Sequence, residues 1–346
     1  MRPNLKKYLT LLAFFNSVSL QVNASSLEQQ IPIDLIKSTG NKFLTITTEN
    51  DFFGGGTDQN YTNGLRITYF DVNTELPEFS KKLASYIPTF EINKTTSTYY
   101  SIGHNIYTPE KIELNPPNPK NRPYAGFLYT SAGLTSITGN HIDDIEFTLG
   151  IVGPAALGKE VQRNYHKLID SDDPKGWDSQ LNNELGIMIS WQRRWPVVFS
   201  GVLNDKFFYR ASPHLGVTLG NVYTYANTGM TLQFLPKEDV WQSLPIRVRP
   251  AIPGNGAFAT FGHKWSWMLF AGLDGRAIGH NIFLDGNTFS ESPSVDRYNF
   301  VYDANAGAAI TYDRLRISFT MNLRSKEFND DENSHKFGII SIGYKF

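Results

Sequence analysis

The chain has 346 residues, no cysteine, 14% aromatic residues and 28 glycines, and its 32 Lys and Arg against 33 Asp and Glu leave a formal charge of -1. The lack of cysteine removes thiolate metal sites, disulfides and cysteine nucleophiles together. A near-neutral balance without a basic block argues against nucleic acid as a partner, because phosphate binding needs a concentrated cationic surface.

Lys6 and Lys7 precede an apolar run from Tyr8 to Phe15, and a softer stretch ends in Val22-Asn23-Ala24. That is the layout of a secretory signal peptide: the run is too short to span a bilayer as a helix, and Val22 and Ala24 are the small residues a peptidase reads before Ser25. Residues 1–24 are expected to be removed and 25–346 to form a single domain. Downstream, no apolar run approaches the roughly 18 residues of a helical span. The remaining way for an exported chain to cross a membrane is a closed β-barrel, whose backbone groups all pair between strands.

Segments of about ten residues with alternating polarity, the length a tilted spanning strand needs, occur at 43–50, 61–70, 97–106, 124–136, 141–151 and 184–195. A second set follows at 207–219, 223–234, 265–278, 300–312, 314–324 and 337–346. The expected fold is therefore all-β, a transmembrane antiparallel barrel of twelve strands. The pattern is weakest in the seventh to ninth segments, where Pro213 and glycines interrupt it. It is clearest near the end, where Leu315, Ile317, Phe319, Met321 and Leu323 share one face and Arg316, Ser318, Thr320, Asn322 and Arg324 the other. Ile340, Ile342, Tyr344 and the terminal Phe346 also share a face, and a last strand ending in an aromatic residue resembles the recognition signal of outer-membrane barrels.

With the N-terminus periplasmic, odd-to-even connections are extracellular, and those at 51–60, 107–123 and 152–183 are long. The even-to-odd connections at 137–140 and 313 are tight, whereas 71–96 and 235–264 are longer than the rule expects. The first long loop, with Glu49-Asn50-Asp51 before it and Tyr61-Thr62-Asn63-Gly64 after it, offers carboxylates and amides among glycines. Such hard oxygen donors suit calcium far better than zinc, although a solvated turn would read the same way. In the third, residues 159–169 have helical periodicity: Val161, Tyr165 and Leu168 recur at spacings of four and three, while Gln162 and His166 share another face. Periodicity alone leaves open whether His166 is a base or surface decoration.

Four motifs together are more specific than any one: Glu-Asn-Asp at 49–51, Tyr-Thr-Asn-Gly at 61–64, Asn-Arg-Pro-Tyr-Ala-Gly at 121–126, and the stretch from Gly153-Pro154 to His166. Through them nearly all of the mature chain resembles the outer-membrane lipid A 3'-O-deacylases. The resemblance implies a twelve-stranded barrel with a calcium-dependent site between its outer wall and a short helix of an extracellular loop. It casts His166 as general base with Gln162 beside it, Asn50 and Asp51 as the catalytic pair holding Ca2+, and Thr62 as the catalytic hydroxyl. Lys111 and Asp172 fall near its substrate-binding positions, Asp172 where the family has glutamate. Arg122 either contacts a substrate phosphate or orders its loop. The implied reaction is hydrolysis of the ester-linked 3' acyl (acyloxyacyl) group of lipid A by histidine-activated water, with lipopolysaccharide as substrate. The protein is expected to be a monomer in the bacterial outer membrane, its site toward the extracellular leaflet. Two other classes compete: a barrel phospholipase with a serine nucleophile, for which no Gly-x-Ser-x-Gly elbow is present, and a passive porin-like barrel.

Overall fold

A computed structural model describes residues 42–51, 53, 60–72, 76–87, 89–196, 198–237, 242–248, 256–258, 264–331 and 334–346; the signal peptide expected over 1–24 lies outside them. The described chain is one antiparallel sheet of β1 (Lys42–Asn50), β2 (Asn60–Asp71), β3 (Ser97–Thr108), β4 (Ala125–Thr138), β5 (His141–Val152), β6 (Glu184–Arg194), β7 (Phe199–Leu203), β8 (Phe207–Gly220), β9 (Tyr223–Pro236), β10 (Trp265–Asn281), β11 (Phe300–Tyr312), β12 (Leu315–Arg324) and β13 (His335–Lys345). Sequential neighbours pair except β6 and β7, β1 pairs with β13, and β6 pairs with β8, which closes the sheet. β6 and β7 together make one barrel strand, because β6 pairs with residues 214–220 of β8 and β7 with residues 207–211. The barrel thus has twelve strands, as the alternation predicts.

The interruption between β6 and β7 explains how β8 tolerates Pro213. A proline has no N–H for a ladder, and Pro213 falls in the gap between the two pairings, where its carbonyl accepts from the Trp195 N–H at 3.0 Å. The tight connections are two-residue turns after Thr138 and Tyr312. Each contains a residue of positive φ, Gly139 and Asp313, as the twist of a hairpin requires.

Alternation along each strand sorts side chains between outside and lumen. On β12, Phe319 is 43% exposed and Thr320 is 2% exposed, and the other apolar residues of the strand share the Phe319 face. Leu44 and Ile46 of β1, Ile102 of β3 and Ile342 and Tyr344 of β13 belong to the same outer apolar band. The lumen is polar and paired. Arg66 meets Glu146 at 2.8 Å, and Asp303 receives two hydrogen bonds from Arg324 and lies 2.7 Å from Arg276.

The two over-long connections have structural work. Residues 72–96 carry α1 (Glu78–Ser85), and Ala84 and Phe90 pack on Leu134 and Ile145 beside the rim where the chain ends. The connection from β9 to β10 enters the lumen: Ser243 accepts from Arg316, Ile246 from Thr47, and the Val248 N–H donates to Glu49 at 2.7 Å. Phe258 packs edge-on against Phe43 at 5.4 Å. A passive channel needs an open bore; here the described part of this connection occupies the bore along the length of β1.

Phe319→Arg puts a charge on the outer face near the middle of β12 and should cost about 2 to 4 kcal/mol of barrel stability in lipid. Phe319→Leu, which keeps the face apolar, should stay near wild type. Equal midpoint losses in urea unfolding would mean that this face does not meet hydrocarbon.

Candidate active site

The rim at which β1 ends gathers the connections that carry the motifs. β5 leaves the sheet at Gly153, whose φ of 96° and close approach to Asn182 leave no room for a Cβ, which would lie 2.5 Å from the Asn182 oxygen. The chain then folds back over the outside of the barrel as a 3-10 turn (Pro154–Ala156) and α2 (Gly158–Ile169). The turn packs on β4 and β5, and α2 on β4 and β3, so the helix crosses the strands toward β1. Its start can lie close to the wall because Gly126 and Gly158 meet there: a Cβ on Gly126 would come within 3.1 Å of the Gly158 nitrogen. His104, facing outward from β3, donates from Nε2 to the Ala156 carbonyl at 2.7 Å and pins the turn.

The start of this helix lies on one outer row of the sheet, at Gly126. Register carries this row from Asn50 to Asn63, to Ile106 and to Gly126 on four successive strands. These positions face outward, yet Asn50 and Ile106 are buried, unlike Leu44 and Ile46 lower on the same wall. The register of β2 against β3 slips at Thr62, a bulge of the kind that redirects side chains beside active sites; the Thr62 side chain lies outside the described residues.

Gln162 and His166, one turn apart, are each 2% exposed on the buried face of α2. His166 Nδ1 donates to the Asp172 backbone carbonyl, which holds a proton on Nδ1 and orients the ring. Trp177, fully buried in the following turn, donates from Nε1 to Gln162 Oε1 at 2.7 Å. This fixes the amide orientation, and Gln162 Nε2 is a buried donor without a partner among the described residues. Trp177 also packs on Tyr124 with ring centroids 5.0 Å apart, and the Leu181 N–H donates to the Tyr124 carbonyl, so the two long loops form one body. Trp177 and Tyr124 escaped the reading of the sequence; the Arg-Pro-Tyr motif was the available signal for Tyr124.

The sequence matches the family described as Outer membrane protein LpxR over residues 9–346. The chain belongs to the LpxR family of outer-membrane proteins. Among solved structures, LpxR from Salmonella typhimurium superposes with a TM-score of 0.71 at 20% identity, covering 88% of this chain and 100% of that one. The β-domain of the Bordetella autotransporter BrkA gives a TM-score of 0.42 at 8% identity, covering 89% and 100%. No curated protein matches at the level of sequence. Membership in the LpxR family makes the chain an integral protein of the bacterial outer membrane and its apolar outer band a lipid-facing surface.

Within this LpxR-family barrel the expected site residues fall into two groups. Gln162 and His166 come together on the buried face of α2, and Asn50 and Asp51, both buried, stand at the end of β1, Asn50 in the same outer row as Gly126. Lys111 is exposed on the loop after β3. Asp172 meets His166 through its backbone carbonyl, while the residue itself is exposed. Arg122 is no outward phosphate clamp: it is buried, bonds Glu327 at 2.6 Å, and lies over the Tyr107 and Phe328 rings. It takes the loop-ordering alternative and joins residues 205 positions apart across the barrel mouth.

Calcium, implied by the resemblance, fits the donors at the end of β1. Asn50 and Asp51 offer buried hard oxygens and the chain has no thiolate. Among the described residues no group of three or more His, Asp or Glu side chains could hold a metal.

Arg122→Ala leaves Glu327 charged in a buried place and should cost about 3–5 kcal/mol, whereas the same change in a Glu327→Gln background should cost much less. The check is a double-mutant cycle on urea midpoints; full additivity would show that the pair is not coupled.

Proposed function

We propose that this chain hydrolyses the ester-linked 3' acyl (acyloxyacyl) group of lipid A in lipopolysaccharide, from the rim where β1 ends, which faces the extracellular leaflet. The observation that carries the reading is the buried face of α2. His166, its Nδ1 hydrogen-bonded to the Asp172 carbonyl, lies buried on that face one turn from the fixed amide of Gln162. Reach supports it as well. From Gly158 to His166 the helix advances about 12 Å, at 1.5 Å per residue. From Gly126 back to Asn50 are three strand spacings, about 14 Å. A helix that starts over Gly126 and runs toward β1 therefore brings His166 near Asn50 and Asp51.

In the chemistry that follows, a water between His166 and the ester carbonyl loses its proton to Nε2 as its oxygen bonds to the carbonyl carbon. The tetrahedral intermediate then collapses, the bond to the sugar oxygen breaks, and the imidazolium returns the proton to that oxygen. The products are a free fatty acid and a 3' hydroxyl. Gln162 Nε2 would donate to the developing oxyanion, a contribution of about 3 kcal/mol when such a donor is well aimed. Calcium held by Asn50 and Asp51, with Thr62 nearby, would supply Lewis-acid stabilisation of the same oxygen. Lys111, exposed on the adjoining loop, is available for a glucosamine phosphate. The protein acts on a component of its own membrane and works as a monomer. The porin-like alternative loses ground to the occupied lumen. The serine phospholipase remains distinguishable by covalent labelling.

His166→Ala should fold and insert, since alanine suits a helix, but should lose at least about two orders of magnitude in rate. Mass spectrometry of lipid A from expressing cells should show the 3' acyl group removed by wild type and retained with the variant. Wild-type release by a folded His166→Ala protein would exclude this base, and an acyl group trapped on a serine would replace the water route.

Chelation should stop turnover, with recovery on adding calcium and none on adding zinc. Activity that survives exhaustive chelation would remove calcium from the reaction.

A further inference from the structure

α2 has three faces, and the site accounts for only one of them. Gly158, Gln162 and His166 turn to the barrel wall. Lys159 and Arg163 lie on a second face and are tied to Asp178 at 2.6 Å and Asp173 at 3.0 Å, alongside exposed Glu160, Asn164 and Lys167. The third face is a stripe of Leu157, Val161, Tyr165 and Leu168, all exposed, Leu168 at 82%. In a water-soluble protein a stripe this apolar on a helix this polar would cover a core. Here the core side of the helix is already taken by the wall.

The stripe continues a surface whose occupant is known. Leu157 directly follows Ala156, whose carbonyl is held by His104 of β3. Two residues further along β3 on the same outer face is Ile102, 53% exposed, and the strand partner of His104 on β2 is Leu65, also exposed. These residues belong to the lipid-facing band of an outer-membrane barrel. We infer that α2 lies in the membrane interface with its Leu157–Val161–Tyr165–Leu168 stripe among the acyl chains of the adjoining leaflet, and its Lys159–Arg163 face in the headgroup region. A helix with one apolar and one charged face is built for that boundary. The partner is therefore the acyl layer itself, and on the orientation proposed above that layer is the outer leaflet. The face that carries His166 is then held at the depth where acyl esters meet their headgroups, on a helix anchored by the lipid it faces.

The natural chain has no cysteine, so single-cysteine spin labels can be read without background. Val161→Cys and Leu168→Cys, with Glu160→Cys and Lys167→Cys on the charged face, would be refolded into vesicles of lipopolysaccharide and phosphatidylethanolamine. Labels at 161 and 168 should be relaxed several-fold more by molecular oxygen, and several-fold less by a water-soluble nickel chelate, than labels at 160 and 167. Equal access of the nickel chelate to all four positions would overturn the inference. So would protection of 161 and 168 from both reagents, which would mean that protein covers the stripe. The labels report insertion whether or not the ester is cleaved, so failure of the deacylase reading would leave this result standing, and the converse holds.

Discussion

Closure of the backbone ladder is the constraint on which the rest of this structure depends. In hydrocarbon an unpaired N–H or C=O costs several kcal/mol, so a sheet can cross a membrane only without edges. Two pairings remove them here: β1 with β13 at the ends of the chain, and β8 with the two halves of a strand broken at Pro196. Once the sheet is closed, every residue is either outside or inside. The alternation that places Phe319 in lipid also places Arg324, Arg276 and Asp303 in the bore.

Charges placed inside must then find partners, because solvation inside a filled bore is poor. The network around Asp303 and Glu327 answers this, and the plug formed by the β9–β10 connection is part of it. Arg247 of the plug stands 3.7 Å from Glu49 and 3.8 Å from Asp303. Glu49 immediately precedes the Asn50–Asp51 pair. A segment that enters the bore from the rim where the chain ends therefore helps to hold the last turn of β1 beneath the candidate site, while Arg122 and Glu327 tie the loop after β3 to the loop after β12. The interior of this barrel is scaffolding for the candidate site on its outer wall.

The outer wall is where the family's arrangement makes physical sense for a lipid substrate. A site on the lipid side of a strand row, roofed by a helix, admits an acyl ester from the leaflet without lifting it into water. What holds the roof close is small: Gly126 and Gly158 in contact, one hydrogen bond from His104, and the Tyr124–Trp177 contact that binds the two long loops together.

The sequence determined the strands, their number and the sorting of their faces, because period-two alternation is a local property that a closed sheet preserves residue by residue. It also determined that α2 is helical and that Gln162 and His166 share a face, because 3.6-residue periodicity is local too. Only the tertiary structure decided which face of that helix meets the wall and which is left to the lipid, since three faces of one helix cannot be told apart without their neighbours. It alone turned Arg122 inward to Glu327, 205 residues away, and gave His166 the backbone of Asp172 in place of a carboxylate. It alone sent residues 242–248 and 256–258 into the bore, where Ile246 and Val248 meet Thr47 and Glu49 across 199 positions of sequence. Those contacts follow from barrel closure, which brings distant segments together with no periodic trace in the residues that meet.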